Sequence, residues 1–231
     1  MAKSLKDDFD RHGYVRIEDA VAPDRLVDLR QRMDEALATR ERSANVKLGD
    51  DPQAAALITT VPLRAAFDAL LGAGRWAEPE ALEDLRIKVP SSARPMQWHI
   101  DVFERGPETT DEDASTWRAS PRCGGVGLLV LLLLSEVGPT DGATAIRAGS
   151  HHTVARHLEA AGDEGLSLGD LLDVGIDAET TDCLVVLTTG RAGTAFLCHP
   201  MLVHAALAHT GVSPSYWALP PIKLTETKLR L

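Results

Sequence analysis

Residues 96–103 read MQWHIDVF and place two polar side chains, His99 and Asp101, one residue apart in an apolar stretch. The alternation predicts an extended strand, in which every second side chain points to the same face. His99 and Asp101 then project together, and the opposite face carries apolar residues: Trp98, Ile100 and Val102. An imidazole and a carboxylate on one strand face could bind a common ligand such as a metal ion.

A third metal ligand is available near the other end of the chain, in the stretch TAFLCHPMLVHAAL at 194–207. We expect His204, on or just after a strand, to complete the set. His199 competes for the same role, but Pro200 directly after it suggests a strand end. Two imidazoles and one carboxylate leave three positions on Fe(II) open for an organic co-substrate and O₂, whereas catalytic zinc usually keeps one. Spacing alone does not distinguish this triad from buried structural histidines.

Composition limits the functional classes. The chain has 231 residues, of which 44% are hydrophobic, enough for one sizeable core in a single domain. The formal net charge of −10 disfavours nucleic-acid binding. The start lacks an apolar signal segment, and the longest apolar run, residues 126–134, is too short to cross a bilayer. Three cysteines without CxxC spacing fit a reducing cytoplasm. The oligomeric state is not specified.

The order of secondary structure suggests helices followed by strands. Helical spacing predicts an amphipathic helix at 22–40, with Asp24 as a possible cap, and a second helical region at 52–72 broken by Pro62. LEDLRIKVP (82–90) alternates with period two, and 126–134 is typical of a strand buried on both faces. Further strands are expected at 182–188, 194–200 and 214–220, with a long loop at 104–122 and an insertion at 154–175. This order favours an α+β domain, or helices packed on a β-barrel or sandwich.

Taken in order, four motifs resemble the phytanoyl-CoA dioxygenase-like family of Fe(II)/2-oxoglutarate oxygenases. They are FDRHGYVRIEDAVAPDRLVDLRQRM (9–33), WHIDVF (98–103), DGATAIRAGSHHTVARH (141–157) and HPMLVHAALAHTGVSPSYWALPPI (199–222). The resemblance extends from about residue 8 to residue 222. It implies a mainly β fold, a double-stranded β-helix (a cupin-like jelly-roll barrel), with a helical buttress at about 1–80 and the β-helix core at about 81–222.

The resemblance also implies the chemistry. His99, Asp101 and His204 would be iron ligands, 2-oxoglutarate and O₂ the co-substrates, and a small metabolite the substrate, beneath a lid formed by the 104–122 loop and the 154–175 insertion. Retention of Asp101 favours hydroxylation or a related oxidation over halogenation, in which chloride takes the place of that carboxylate. Trp117 is placed like a tryptophan that lines the co-substrate pocket in several relatives, and could equally be a loop anchor.

One departure from the family is clear. An arginine usually follows the distal histidine by about eleven residues and pairs with the far carboxylate of 2-oxoglutarate, a strong bidentate contact. Here that position is Ser215, which we expect to contact the co-substrate with one hydrogen bond but no charge. Lys88 is the first candidate for a replacement cation, together with Arg86 if that strand face points into the barrel. Arg122 could also reach the pocket. Arg147 and Arg191 are weaker candidates.

Two alternatives therefore remain open from the sequence. Ser215 could mark an iron oxygenase of the same fold that does not use 2-oxoglutarate, with the substrate itself chelating the metal. The chain could also be a non-catalytic relative that holds a ligand without turnover. The intact triad argues against the second alternative, because a barrel has no structural need for three converging ligands.

Overall fold

The computed structural model describes residues 4–38, 45–46, 52–82, 85–90, 97–101 and 117–225. Its helices are α1 (Leu5–His12), α2 (Val27–Ala38), α3 (Pro52–Ala55), α4 (Val61–Leu71), α5 (His151–Ala161), α6 (Leu168–Asp173) and α7 (Ile176–Glu179). Its strands are β1 (Tyr14–Ile17), β2 (Asn45–Val46), β3 (Leu85–Lys88), β4 (Arg118–Ala119), β5 (Val126–Leu133), β6 (Thr144–Arg147), β7 (Leu166–Ser167), β8 (Val185–Leu187), β9 (Ala195–Cys198), β10 (His204–Ala206), β11 (Ser215–Ala218) and β12 (Pro221–Lys223).

The N-terminal helices begin and end differently from the sequence prediction. The expected helix at 22–40 starts with a 3₁₀ turn, Pro23–Leu26, before α2, and the residue at its N-cap is Ala22, so Asp24 does not cap it. Pro62 lies in the first turn of α4 rather than at a break. Proline is compatible with that position, because the first turn of a helix has no intrahelical acceptor for its N–H groups.

Antiparallel pairing builds a large sheet and a small one. Within the described residues the large sheet has the order β1-β9-β5-β11-β3-β2, with β12 also pairing with β5, and the small sheet has the order β10-β6-β8. Strand β1 belongs to the large sheet although it lies within the expected helical buttress, so residues 1–80 are not purely helical. The mainly β architecture with flanking helices agrees with the expected double-stranded β-helix.

Strand β5 shows how the large sheet separates two cores. Leu128, Val130 and Leu132 pack with the N-terminal helices in one apolar cluster, whereas Leu131 and Leu133 belong to a second cluster inside the barrel. Because side chains alternate along a strand, a run that is apolar at every position is buried on both faces. The prediction for residues 126–134 is confirmed.

Strand β3 has one apolar face and one cationic face. Leu85 and Ile87 are each 1% exposed and pack with the helices, and Val89 lies against the same cluster. Arg86 and Lys88 therefore point into the barrel, where both line its cavity. The condition under which Arg86 and Lys88 were candidate cations, an inward-facing position, is therefore met.

The insertion after α5 is joined to the end of the 104–122 loop. Residues 104–116 of that loop lie outside the described part of the chain, but β4 at its end pairs with β7 of the insertion. Arg118 strengthens the connection by donating hydrogen bonds to the carbonyl oxygens of Glu164 (2.6 Å) and Gly165 (2.9 Å). The two segments expected to cover the barrel mouth are thus tied together.

Gly165 permits this close approach. Its φ of 62° and ψ of −167° lie in a region that only glycine populates, and a Cβ there would lie 2.1 Å from the carbonyl oxygen of Ala119. Gly162 has similar angles, φ 65° and ψ −151°, but a Cβ there would meet nothing within 4 Å. The two glycines therefore form a matched pair for separating backbone strain from steric collision.

We expect Gly162→Ala to lower the free energy of unfolding by about 1–3 kcal/mol through backbone strain alone. Gly165→Ala should lose about 1–3 kcal/mol more, because its methyl group also collides with β4. Urea denaturation of both variants measures the difference. Equal losses would show that the β4–β7 approach is not tight.

Candidate metal centre and its cavity

Over its described residues, 97–101, the HxD segment is held to β10 by a single bridge. The N–H of His99 donates to the carbonyl oxygen of His204 (3.0 Å), and the N–H of His204 donates back to that of His99 (2.9 Å). Ile100, with Trp98 beside it, packs into an apolar cluster with the α5–α7 region, so His99 and Asp101 face the barrel cavity. The predicted alternation is confirmed over the described residues 97–101.

The side chains of His99, Asp101 and His204 converge. One ligand atom from each lies within 4.8 Å of the other two, and Nε2 of His204 is 3.8 Å from Oδ2 of Asp101. In the described part of the chain, this is the one group of three or more histidine, cysteine or acidic residues with spacing suited to a metal ion. The residues that the sequence separates by about a hundred positions are therefore brought together.

Hydrogen bonds orient both imidazoles. Nδ1 of His99 lies 2.8 Å from the carbonyl oxygen of Gln97, and Nδ1 of His204 lies 3.0 Å from that of Leu202. A carbonyl oxygen only accepts, so each Nδ1 carries the proton and each Nε2 keeps its lone pair. Metal-binding histidines are typically oriented this way. The donor set thus fits a divalent transition metal.

Burial favours the neutral, metal-binding form of His99. Desolvation and, after it, the neighbouring His204 lower the pKa of His99 below its usual value. The rings of these two histidines lie 4.5 Å apart between centroids. Two protonated imidazoles at that distance would repel each other. Protonation of both rings is therefore disfavoured, which leaves a nitrogen lone pair for a metal cation.

His199 does not join the triad. It is 7% exposed, and its Nδ1 accepts a hydrogen bond from the N–H of Met201 (3.1 Å). Its ring lies between the barrel cavity and an outer cavity near α1, α4 and α5. The choice of His204 over His199 as the residue near His99 and Asp101 agrees with these positions.

The triad opens into a cavity of about 580 Å³ inside the barrel. Most of its wall is apolar. Apart from the triad, Cys198 and His199, its described polar lining residues are Arg86 and Lys88 on β3 and Thr144 on β6. The lining includes Trp117, Leu129, Leu131, Ile146, Leu202, Trp217 and Leu219. A cavity of this size and composition suits a small organic ligand with a few fixed polar groups.

Lys88 places a desolvated cation in this cavity. Its ammonium donates to the carbonyl oxygen of Gly142 and lies 4.9 Å from the centroid of the Trp217 ring. Desolvation by burial, followed by repulsion from Arg86, lowers the pKa of Lys88 to about 8. Such a group gains from an anionic partner, because burying a charge without one is costly.

Ser215 does not offer its hydroxyl proton to the cavity. It is 1% exposed, and its Oγ donates to the carbonyl oxygen of Asp141 (2.7 Å) while accepting from Nε1 of Trp217 (3.2 Å). The expectation that this serine contacts the co-substrate is not supported by its position. In the β3–β11 register, however, Ser215 lies opposite Lys88.

Arg86 lines the cavity with Lys88, whereas the other three candidate cations point elsewhere. Arg122 does not line the cavity, because its exposed side chain forms an ion pair with Asp163 (2.9 Å) on the insertion. Arg191 is 71% exposed and lies 3.3 Å from Asp19. Arg147 is buried but extends behind the HxD segment. Of the two candidates in the loop, Trp117 reaches the cavity and Arg122 does not.

Among the residues of the cavity wall that sequence reasoning did not single out are Thr144 and Trp217. Trp217 lies two positions after Ser215, and strand alternation from that serine could have placed it on the inner face. Thr144 is opposite Ala206 in the β6–β10 register, two residues beyond the His204–Ile146 pair. No local pattern marks it.

Comparison with known families defines the class of protein. The profile of the phytanoyl-CoA dioxygenase (PhyH) family matches residues 9–214. The chain therefore belongs to this family of Fe(II)/2-oxoglutarate-dependent oxygenases, as its motifs suggested. No curated protein matches it significantly.

Several solved structures have a similar fold. The chain is 20% identical to the non-heme alpha-ketoglutarate-dependent carbocyclase SnoK from nogalamycin biosynthesis, with a TM-score of 0.63, 97% of this chain and 84% of SnoK covered. It is 21% identical to EctD from S. alaskensis, solved with 2-oxoglutarate and 5-hydroxyectoine, with a TM-score of 0.64 and coverage of 97% and 77%. AviO1 from Streptomyces viridochromogenes gives 18%, a TM-score of 0.61 and coverage of 95% and 93%. These likenesses support the β-helix fold.

In the described part of the chain, the helices are too short or too polar for any of them to span a bilayer.

Two buried histidines beside the outer cavity make stability depend on pH. Burial, with His152 as the next cause, lowers the pKa of His151 to about 4, and burial and His151 lower that of His199 to about 3. The unfolded chain binds protons on these groups near pH 6.5, whereas the folded chain does not. The contribution of these two histidines to the free energy of unfolding is therefore fully present above about pH 6.5 and is lost progressively as the pH falls toward 4.

We expect the free energy of unfolding to fall by up to about 1.4 kcal/mol per pH unit for each histidine below pH 6.5. Urea denaturation between pH 7 and 4.5 measures the slope. His199→Gln should reduce it, and the control Leu158→Ala, which alters the packing of α5 without removing a titratable group, should leave the slope unchanged. An unchanged slope in His199→Gln would contradict this assignment.

Proposed function

We propose that this protein is an Fe(II)/2-oxoglutarate-dependent oxygenase that oxidises a small-molecule metabolite, with His99, Asp101 and His204 as its metal ligands. The observation that carries the proposal is the convergence of three ligand atoms within 4.8 Å, both imidazoles having Nδ1 committed to a backbone carbonyl. Family membership supports it. So does the likeness to SnoN, whose structure was solved in complex with Fe³⁺, alpha ketoglutarate and nogalamycin RO.

Each part of the site has a distinct task. Iron bound here supplies the redox chemistry that couples O₂ and decarboxylation of 2-oxoglutarate to substrate oxidation. Nε2 of each histidine and one carboxylate oxygen of Asp101 would hold the metal beside the cavity that these three residues line. The apolar walls, which include Trp117, would exclude water.

Lys88 is the proposed partner for the far carboxylate of 2-oxoglutarate. The family arginine would come from the position of Ser215, and Lys88 lies directly across the β3–β11 ladder from it. Its ammonium is already desolvated and fixed by Gly142 and Trp217, so little ordering is required when an anion binds. The positive charge has moved to the neighbouring strand.

A second candidate function follows from Ser215, because this serine stands where the family has the arginine that binds 2-oxoglutarate. An iron oxygenase without 2-oxoglutarate would use the same triad, and Lys88 would then hold an acidic group of the substrate. The two functions differ in one measurable property, which is whether 2-oxoglutarate binds next to the metal.

Anaerobic titration with Fe(II) and then 2-oxoglutarate tests the proposal. We expect a metal-to-ligand charge-transfer band when 2-oxoglutarate is added to the iron-loaded protein. His204→Ala should abolish tight iron binding, whereas the control His199→Ala should retain it. Iron binding without the band would favour the second function, and failure to bind iron would refute both.

Affinity for 2-oxoglutarate should depend on Lys88 and on pH. Lys88→Met removes the only partner proposed for the far carboxylate, so affinity should fall by about a hundredfold or more, equivalent to about 3 kcal/mol. The control Lys223→Met, at the exposed end of β12, should leave affinity unchanged. In the native protein, affinity should decline as pH rises above about 8, because only protonated Lys88 attracts the carboxylate.

The charge-changing variants complete this test. Lys88→Arg keeps its charge at high pH, so the decline above pH 8 should disappear. In Lys88→Met, adding Ser215→Arg should recover part of the affinity by returning the cation to the family position. An unchanged affinity in Lys88→Met would show that the carboxylate is held elsewhere.

A further inference from the structure

Arg147 links the HxD segment (97–101) to α7. It is the last residue of β6, and 7% of its side chain is exposed. Its Nη1 donates to the carbonyl oxygen of Asp177 (2.7 Å) and to Oγ1 of Thr180 (2.8 Å), and lies 2.8 Å from Oδ1 of Asp177. These three contacts fix the guanidinium against α7.

The guanidinium also stacks on the residue before His99. Its central carbon lies 4.1 Å from the centroid of the Trp98 ring, a distance typical of a cation–π contact. Trp98 packs against the apolar cluster of the α5–α7 region. Of the next two residues, His99 lines the cavity and Ile100 belongs to that cluster. Arg147 therefore supports the 97–101 segment from behind.

The backbone of Arg147 reaches the other metal histidine. Its N–H donates to the carbonyl oxygen of Val203 (2.9 Å), and the preceding Ile146 is paired with His204 in the β6–β10 register. One residue thus contacts the immediate neighbour of each histidine, through its side chain at Trp98 and through its backbone at Val203.

We propose that Arg147 is a positioning residue for the metal centre, which sets the place of His99 relative to His204 by holding Trp98. The inference rests on the proposed function, since it concerns the same triad. Because the described residues 97–101 are otherwise held to β10 by a single bridge, loss of the stacked guanidinium would let Trp98 shift and spread the ligand set. Asp177 and Thr180 make the position of α7 part of this support.

Arg147→Met tests the proposal by removing the cation while keeping an unbranched apolar side chain. We expect the affinity for Co(II), used as a spectroscopic substitute for Fe(II), to fall 10- to 100-fold, the range found when residues that orient metal ligands are lost. The visible d–d absorption of the Co(II) site should also change shape. Arg147→Lys, which can still place a cation over the indole, should recover part of the affinity.

Controls separate positioning from general destabilisation. Leu158→Ala removes buried volume from the same apolar cluster without touching Arg147's polar contacts, and should retain the native Co(II) affinity and spectrum at temperatures well below its Tm. In a Trp98→Leu background, Arg147→Met should have little further effect. Native affinity and spectrum in Arg147→Met, or an equal loss in Leu158→Ala, would overturn the inference. Failure of the unmutated protein to bind Co(II) or Fe(II) would instead refute the proposed function.

Discussion

The reciprocal backbone hydrogen bonds between His99 and His204 are the constraint on which the candidate site depends. Paired residues of an antiparallel bridge carry their side chains on the same face, so two hydrogen bonds bring the imidazoles together. Asp101, two residues along, falls on that face as well. The bridge is short, and its geometry is maintained by what lies behind it: Ile100 and Trp98 in an apolar cluster, and Arg147 stacked on the indole. Packing on the outer face thus determines chemistry on the inner one.

A second constraint is the charge on β3. Arg86 and Lys88 share the inner face of one strand, and their repulsion adds to the desolvation that lowers the pKa of Lys88. Burying the Lys88 ammonium beside another cation is costly, and an anion bound in the cavity would offset that cost. The Asp141–Gly142 turn supports the arrangement from below, since the carbonyl of Gly142 accepts from Lys88 and that of Asp141 accepts from Ser215. A Cβ at Gly142 would lie 3.0 Å from Cδ of Lys88, so glycine also provides the room for this lysine.

The sequence predicts those parts of the site that follow strand periodicity. Alternation in β3 places Lys88 and Ile87 on opposite faces, although it leaves open which face points inward, and the shared face of His99 and Asp101 follows from alternation in the same way. The failures concern long-range partners. Arg122 turns to Asp163, and Ser215 to Asp141, through contacts that depend on how the insertion and the turn fold back, which no local pattern records. Likewise, the start of α4 at Val61 was missed because proline can either break a helix or occupy its first turn.

The α5–α7 region, residues 151–180, connects the two sides of the cavity. Through Arg118 and the β4–β7 pair it holds the segment that carries Trp117 into the cavity wall, and through Arg147 it holds the segment that carries His99. A displacement of the insertion would therefore move both a wall of the cavity and one proposed metal ligand. In a site of this kind, substrate fit at the mouth and metal geometry are mechanically linked. Changes of sequence at residues 162–180 would then alter specificity and metal binding together, although none of those residues lines the cavity.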